Sequence, residues 1–230
     1  MRGWVRAIAL MVCAATAGAA SAEPVFNEPP KGSDVWNGQF DPDEAVRLMN
    51  SYARCVAKGR KAKAEAFLAL PLDGEEQHKA SNKLTANSGD CMPRILDGRM
   101  EISFQIPLLA GGAAEALILD RYGKSGPLPL AAAGAEGGAA PAPAPRNAME
   151  SFGQCVMLQD PQAVRAIVAT EPAGKEEAAA LRPVRQHLAN CIPEGQTLAL
   201  NKANLRALLA VALYRALSAG TAPLASAAAR

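Results

Sequence analysis

The chain is predicted to be all-α: two tandem homologous repeats of about four helices each, every repeat clamped by one internal disulfide, joined by a Pro/Ala/Gly-rich linker. Three observations predict this. First, the 230-residue sequence matches itself at a constant offset of 100: Met49-Asn-Ser-Tyr-Ala-Arg-Cys55-Val56 falls on Met149-Glu-Ser-Phe-Gly-Gln-Cys155-Val156, and Cys91-Met-Pro93 falls on Cys191-Ile-Pro193. Gly74, Glu76 and Ala80 also equal their partners, and shared Cys, Gly and Pro in one register point to duplication. Second, five Phe, three Tyr and two Trp leave the core to Leu, Val, Ile, Met and Ala, a helical palette. Third, four of the five cysteines, Cys55, Cys91, Cys155 and Cys191, occupy the matched positions.

The N-terminus explains how those cysteines can be oxidised. Met-Arg-Gly-Trp-Val-Arg is a short basic region, Ala7 to Gly18 is apolar, and Ala20-Ser21-Ala22 is a small-x-small cleavage pattern, so residues 1–22 read as a signal peptide. Cys13 follows Val12, where a lipoprotein signal wants a small residue. The apolar run is too short for a comfortable membrane span, and no later stretch replaces it. A periplasmic or secreted bacterial protein is expected, in a compartment where disulfides persist. Cleavage leaves 22 of the 24 basic residues against 22 acidic ones, a balance that argues against nucleic acid as a partner.

Residues 23–40 carry no periodicity and read as an extended lead-in, with Phe26, Val35, Trp36 and Phe40 as candidates to lie against the first repeat, residues 41–123. The stretch 124–146 is rich in Pro, Ala and Gly and reads as a flexible linker; residues 147–220 form the second repeat and 221–230 a disordered tail.

Each repeat opens on an amphipathic helix. Asp41 is the expected N-cap of the first, with Pro42 at the first helical position and Glu44 reaching back; Asn147 and Glu150 do the same for the second. Asp160-Pro161 starts the second helix of the second repeat, matching a helix over about 60–70 in the first. Third helices are expected over 75–87 and 175–189, the latter kinked or delayed by Pro183. Leu205, Leu208, Leu209, Ala212, Leu213 and Leu217 mark the last helix by their spacing. Its counterpart carries Gly111-Gly112, each costing about 1 kcal/mol against Ala, so that helix either starts after them or has a neighbour packed closely over them.

Four cysteines allow three pairings. A repeat that once folded alone would pair its own two, giving Cys55–Cys91 and Cys155–Cys191. Redox or metal chemistry is disfavoured because no Cys-x-x-Cys is present. His78 and His187 do not align with each other, and His187 four residues before Cys191 makes at most two ligands. Phosphate loops, dinucleotide fingerprints and Gly-x-Ser-x-Gly elbows are missing, and Glu75-Glu76 and Glu176-Glu177 read as helix-start carboxylates. No cofactor, metal or catalytic residue is assigned.

One basic turn differs between the repeats. Lys58, Arg60, Lys61 and Lys63 fall within six residues, whereas 158–163 is Leu-Gln-Asp-Pro-Gln-Ala. Cations at a helix start oppose its dipole, a cost that an anionic partner would offset; the plainer reading is a solvated turn. Arg206, Tyr214 and Arg215 raise the question of a pocket on the last helix. The expected function is non-enzymatic binding of a protein or cell-envelope partner, with the four cations as candidate contacts. The alternatives are an enzyme, such as a hydrolase, with its site between the repeats, or a small-molecule binder with a cavity inside a bundle.

Overall fold

A computed structural model of the chain describes residues 41–92, 105–130, 143–192, 198 and 200–219. The predicted signal peptide, lead-in and tail, and residues 131–142 of the predicted linker, lie outside the described residues. Those described form eight α-helices and no strand.

The helices follow one order twice. α1 (Pro42–Gly59), α2 (Lys61–Ala69), α3 (Glu75–Thr85) and α4 (Ile106–Tyr122) are followed by α5 (Ala148–Gln159), α6 (Pro161–Ala169), α7 (Lys175–Leu188) and α8 (Lys202–Ala219). A 3₁₀ turn closes on Cys91 in the first half and on Cys191 in the second. There is one disulfide in each half, Cys55–Cys91 and Cys155–Cys191, spanning 36 residues each with Cα atoms 5.6 and 5.7 Å apart.

Local chemistry accounts for most boundaries. Asn147 Oδ1 accepts from Glu150 N at 2.9 Å, and Asp160 Oδ1 from Ala163 N at 2.8 Å, so α5 and α6 are capped by their own side chains. Asp41 is the N-cap residue of α1 and Pro42 its first residue, but the Asp41 side chain makes no capping bond, so the expected reciprocal box with Glu44 is not formed. α3 and α7 start after Gly74 and Gly174 without side-chain caps. Instead the chain turns left-handed at Asp73 and Ala173 (φ 59° and 54°), which aims their N–H groups at Gln77 Oε1 (2.7 Å) and Glu177 Oε2 (3.0 Å). α7 begins at Lys175 and continues through Pro183, whose ring stands exposed, so the helix is not delayed.

Packing decides the rest. α1, α4, α8 and α5 contact one another in that order, with α2 and α3 flanking the first half and α6 and α7 the second. α4 and α8 therefore lie between helices on both sides, and residues 109–118 and 205–211 are buried all round the helix. The two halves share one core: Phe67, Leu68, Leu109 and Ile118 belong to the same buried cluster as Met157, Ile167, Leu209 and Leu213. Two separately packed modules on a flexible tether are thus not what the chain builds. The described ends of the predicted linker are also held. Buried Arg165 donates to the carbonyls of Tyr122, Gly123, Ser125 and Gly126, while Arg146 donates to those of Ala69 and Leu70.

The glycine pair in α4 marks where helices approach most closely. A Cβ on Gly111 would overlap Ala207 of α8, and one on Gly112 would lie 2.6 Å from Ala53 Cβ of α1. α4 therefore runs through both glycines, with neighbours packed over them. At the equivalent contact of the second half the glycine changes sides: Gly153 of α5 faces α8, and a Cβ there would come 3.2 Å from Leu208 O. Gly112→Ala should lower stability by roughly 1–2 kcal/mol, because overpacking exceeds the gain in helix propensity. Adding Ala53→Gly should recover much of that loss in urea unfolding; equal losses in the single and double variants would place the strain elsewhere.

Candidate functional site

The polar groups buried between the halves form two clusters, each built around the C-terminus of a short helix. At the end of α2, Arg215 donates to Leu68 O (3.1 Å) and Leu70 O (2.5 Å), and Arg146 to Ala69 O (2.8 Å) and Leu70 O (2.9 Å). Glu150 joins these cations: Oε1 accepts from Leu72 N and lies 2.6 Å from Arg215 Nη1, and Oε2 accepts from Arg146 N. At the end of α6, Arg206 donates to Thr170 O (2.9 Å) and Val168 O (3.4 Å), and Arg54 also reaches Val168 O. Glu115 Oε1 takes Arg206 Nε at 2.6 Å and Oε2 takes Arg54 Nη2 at 2.6 Å and Asn50 Nδ2 at 3.1 Å, while Glu177 Oε1 takes Arg206 Nη1 at 3.0 Å.

Both clusters satisfy carbonyls that a helix end leaves without partners, using cations that the helix dipole favours there. Arg146, Glu150 and Arg215 come from the second half and grip the first; Arg54 and Glu115 come from the first half and grip the second. The equivalent positions differ in charge, with Glu115 and the neutral Asn50 where the other half has Arg215 and Glu150.

Electrostatics hold Glu150 and Arg206 ionised. Burial pushes the Glu150 carboxyl up, but bonds from Leu72 N–H, Arg215 and Arg146 outweigh it and bring the pKa from 4.5 to about 2. Burial lowers the Arg215 pKa, with Glu150 opposing. For Arg206 burial is outweighed by Glu115 and Glu177, which hold its pKa above the usual arginine value. The depressed Glu150 pKa contributes stability that is complete above about pH 4.5 and is lost as pH falls toward 2, on the order of 3 kcal/mol. Glu150→Gln should accordingly be less stable than the parent at pH 6, and the gap in urea midpoints should close on acidification. A gap constant from pH 6 to 2 would contradict this.

Two shallow clefts flank the seam, and their walls correspond residue by residue. One is lined by Leu72, Met149, Glu150, Leu208, Val211 and Arg215, the other by Pro172, Met49, Asn50, Leu108, Gly111 and Glu115. The space open to a water's centre is about 30 and 20 Å³, enough for a water molecule or two and not for a metabolite. These clefts lend no support to a substrate site between the halves. Arg206 and Arg215 face into them, but are spent on the helix ends and carboxylates. Tyr214 is half-buried, with its phenol pKa raised by burial.

The basic turn divides into unlike parts. Arg60 folds back onto the end of α3, donating to the carbonyls of Leu84 (2.5 Å), Ala86 and Asn87 (2.6 Å). Lys61 pairs with Asp120 at 3.0 Å, both about half exposed, a contact worth at most about 1 kcal/mol. Lys58 and Lys63 are exposed and make no ion pair among the described residues. The four cations therefore do not form one free cluster. Position 160, equivalent to Arg60, is the capping Asp160, so the halves solve the same helix junction differently.

The histidines sit apart. His78 is exposed and lies 3.0 Å from Asp73 Oδ1; His187 is partly exposed beside Gln186, and Cys191, four residues on, is in its disulfide. Among the described residues no group of three or more His, Cys, Asp or Glu is arranged to hold a metal ion, and no helix is long and apolar enough to cross a membrane. Comparison with protein-family models, curated proteins and solved structures finds no match.

Proposed function

We propose that this is an exported, non-enzymatic helical protein, descended from a duplicated disulfide-clamped unit, that binds a protein or cell-envelope component. Duplication is supported by the equal disulfide spans, the helix order and the left-handed turns at 73 and 173. Export to an oxidising compartment, with the periplasm as the favoured one, is supported by the two disulfides and the basic-apolar-small N-terminus.

One observation carries the binding reading over an enzymatic one: the buried ionisable groups at the seam are all bound to each other and to helix ends, which stabilises the body and leaves them no reacting partner. Recognition then falls to the surface. Lys58 and Lys63 are the favoured contacts there, because Arg60 and Lys61 already serve the fold, and an acidic or phosphate-bearing partner suits them.

The test leaves Arg60 and Lys61 in place. Lys58→Gln/Lys63→Gln should lose retention of components from a detergent-solubilised envelope fraction, whereas Lys175→Gln/Arg182→Gln, removing the same charge on exposed α7, should keep it. Retention unchanged in the first pair, or lost equally in both, would remove the proposed site.

A further inference from the structure

We propose that Cys55–Cys91 is a reversible thiol–disulfide site, opened at Cys55 by a dithiol and reclosed without unfolding, whereas Cys155–Cys191 is a permanent clamp. This inference is independent of the partner reading above. The two bridges are equal in span but unlike in surroundings. Cys91 and Cys155 are partly buried against the core, Cys191 lies within it at 8% exposed, and Cys55 alone of the four is exposed. A thiolate must reach a sulfur to exchange with it, so access singles out Cys55. Both Cys55 and Cys155 stand four residues before the last residue of their helix, Gly59 or Gln159, so the helix dipole does not distinguish them. Nearby charge does. Exposed Lys58 lies one turn beyond Cys55 on α1 and attracts an anionic nucleophile, where Cys155 is followed by Leu158. Asp90, next to Cys91, repels the same nucleophile from the other sulfur.

The first junction is also tied without its sulfur bond. Tyr52 Oη and Ser88 Oγ share a hydrogen bond, and Arg60 donates to the carbonyls of Leu84, Ala86 and Asn87, so α1 and the residue that follows it hold the segment leading to Cys91. The equivalent positions 152, 188 and 160 are Phe, Leu and the capping Asp160, which cannot make those bonds. A disulfide acts chiefly on the unfolded chain, so opening this one leaves the native ties in place and keeps two thiols, on Cα atoms 5.6 Å apart, ready to reclose. The reductant's thiolate bonds to Cys55 Sγ as the Sγ–Sγ bond breaks, and the electron pair leaves on Cys91 Sγ, which takes a proton from water. The reductant's second thiolate then attacks its first sulfur in the mixed disulfide, releasing the Cys55 thiolate and the oxidised dithiol. The oxidised dithiol runs the sequence backwards.

Dithiothreitol is the probe, on the oxidised full chain carrying Cys13→Ser, so that every remaining cysteine belongs to a bridge. Under native conditions, trapping with iodoacetamide and peptide mapping should find Cys55 and Cys91 alkylated severalfold faster than Cys155 and Cys191, with the helical circular dichroism retained. The monothiol mercaptoethanesulfonate should leave its adduct on Cys55 and a free thiol on Cys91. Oxidised dithiothreitol should reclose the opened bridge, and Tyr52→Phe should slow that reclosure severalfold; if Tyr52→Phe does not fold, Arg60→Gln should give the same reading. Four cysteines alkylated at one rate, which marks exchange through global unfolding, would overturn the proposal, as would the second bridge opening first. So would helix loss when the first bridge opens, an adduct on Cys91, or reclosure in the variant as fast as in the parent.

Discussion

Glu115→Ala should destabilise the protein by about 3–5 kcal/mol, a large part of the 5–15 kcal/mol typical of a domain. Glu115 is fully buried in the middle of α4 and receives five hydrogen bonds from Asn50, Arg54 and Arg206. Arg206 is itself 2% exposed, so its guanidinium depends on its protein partners. Truncating the carboxylate leaves a buried guanidinium with Glu177 as its remaining counter-charge and opens a cavity beside it. The loss comes from the stranded charge more than from the pair's net worth, since desolvating two ions consumes most of their attraction. Glu115→Leu/Arg206→Met, which removes both charges and keeps volume, should therefore be more stable than Glu115→Ala in urea unfolding. A single variant within 1 kcal/mol of the parent, or a double variant worse than the single, would contradict the account.

Removing a disulfide should cost a comparable amount. Each bridge closes a loop of 36 residues, which in the chain-entropy description restricts the unfolded state by about 4 kcal/mol. Cys155→Ala/Cys191→Ala should thus melt well below the parent. Because α4 and α8 cross at Gly111 and Ala207 and share one core, the loss should be felt in both halves, in a single transition. A variant whose second half melts alone, leaving the first intact, would show that the seam does not couple them.

The helical segments were legible in the sequence because their signals are local. Asn147 with Glu150 and Asp160 with Pro161 mark starts through bonds to backbone groups three residues away. The disulfide pairing was legible for another reason: the offset of 100 divides four cysteines into two pairs before any geometry is known. The glycine pair announced its two possible explanations but not the choice, which Ala53 and Ala207 on distant helices decide.

The seam was not legible. Arg215 grips carbonyls at Leu68 and Leu70, about 150 residues away, and Arg206 grips Val168 and Thr170; a backbone acceptor leaves no trace in side-chain identity. Glu115 was the one visible sign, a lone carboxylate inside the apolar run from Ile106 to Leu119, at the position that carries Arg215 in the other half. Glu115 and Arg215, opposite charges 100 residues apart on buried helices, each face the other half of the body. The contacts of Arg60 leave no trace in the sequence for the same reason, since its partners are the carbonyls that end α3.

The central claim is that two disulfide-clamped halves behave as one body held along the α4–α8 seam. Native-state amide hydrogen exchange on the Cys155→Ala/Cys191→Ala variant tests it most directly. The account predicts that the slowest amides of α2 and α4, in the half that keeps its bridge, lose the same protection free energy as those of α6 and α8. Protection in α2 and α4 that stays at the parent's level while α6 and α8 exchange freely would contradict it.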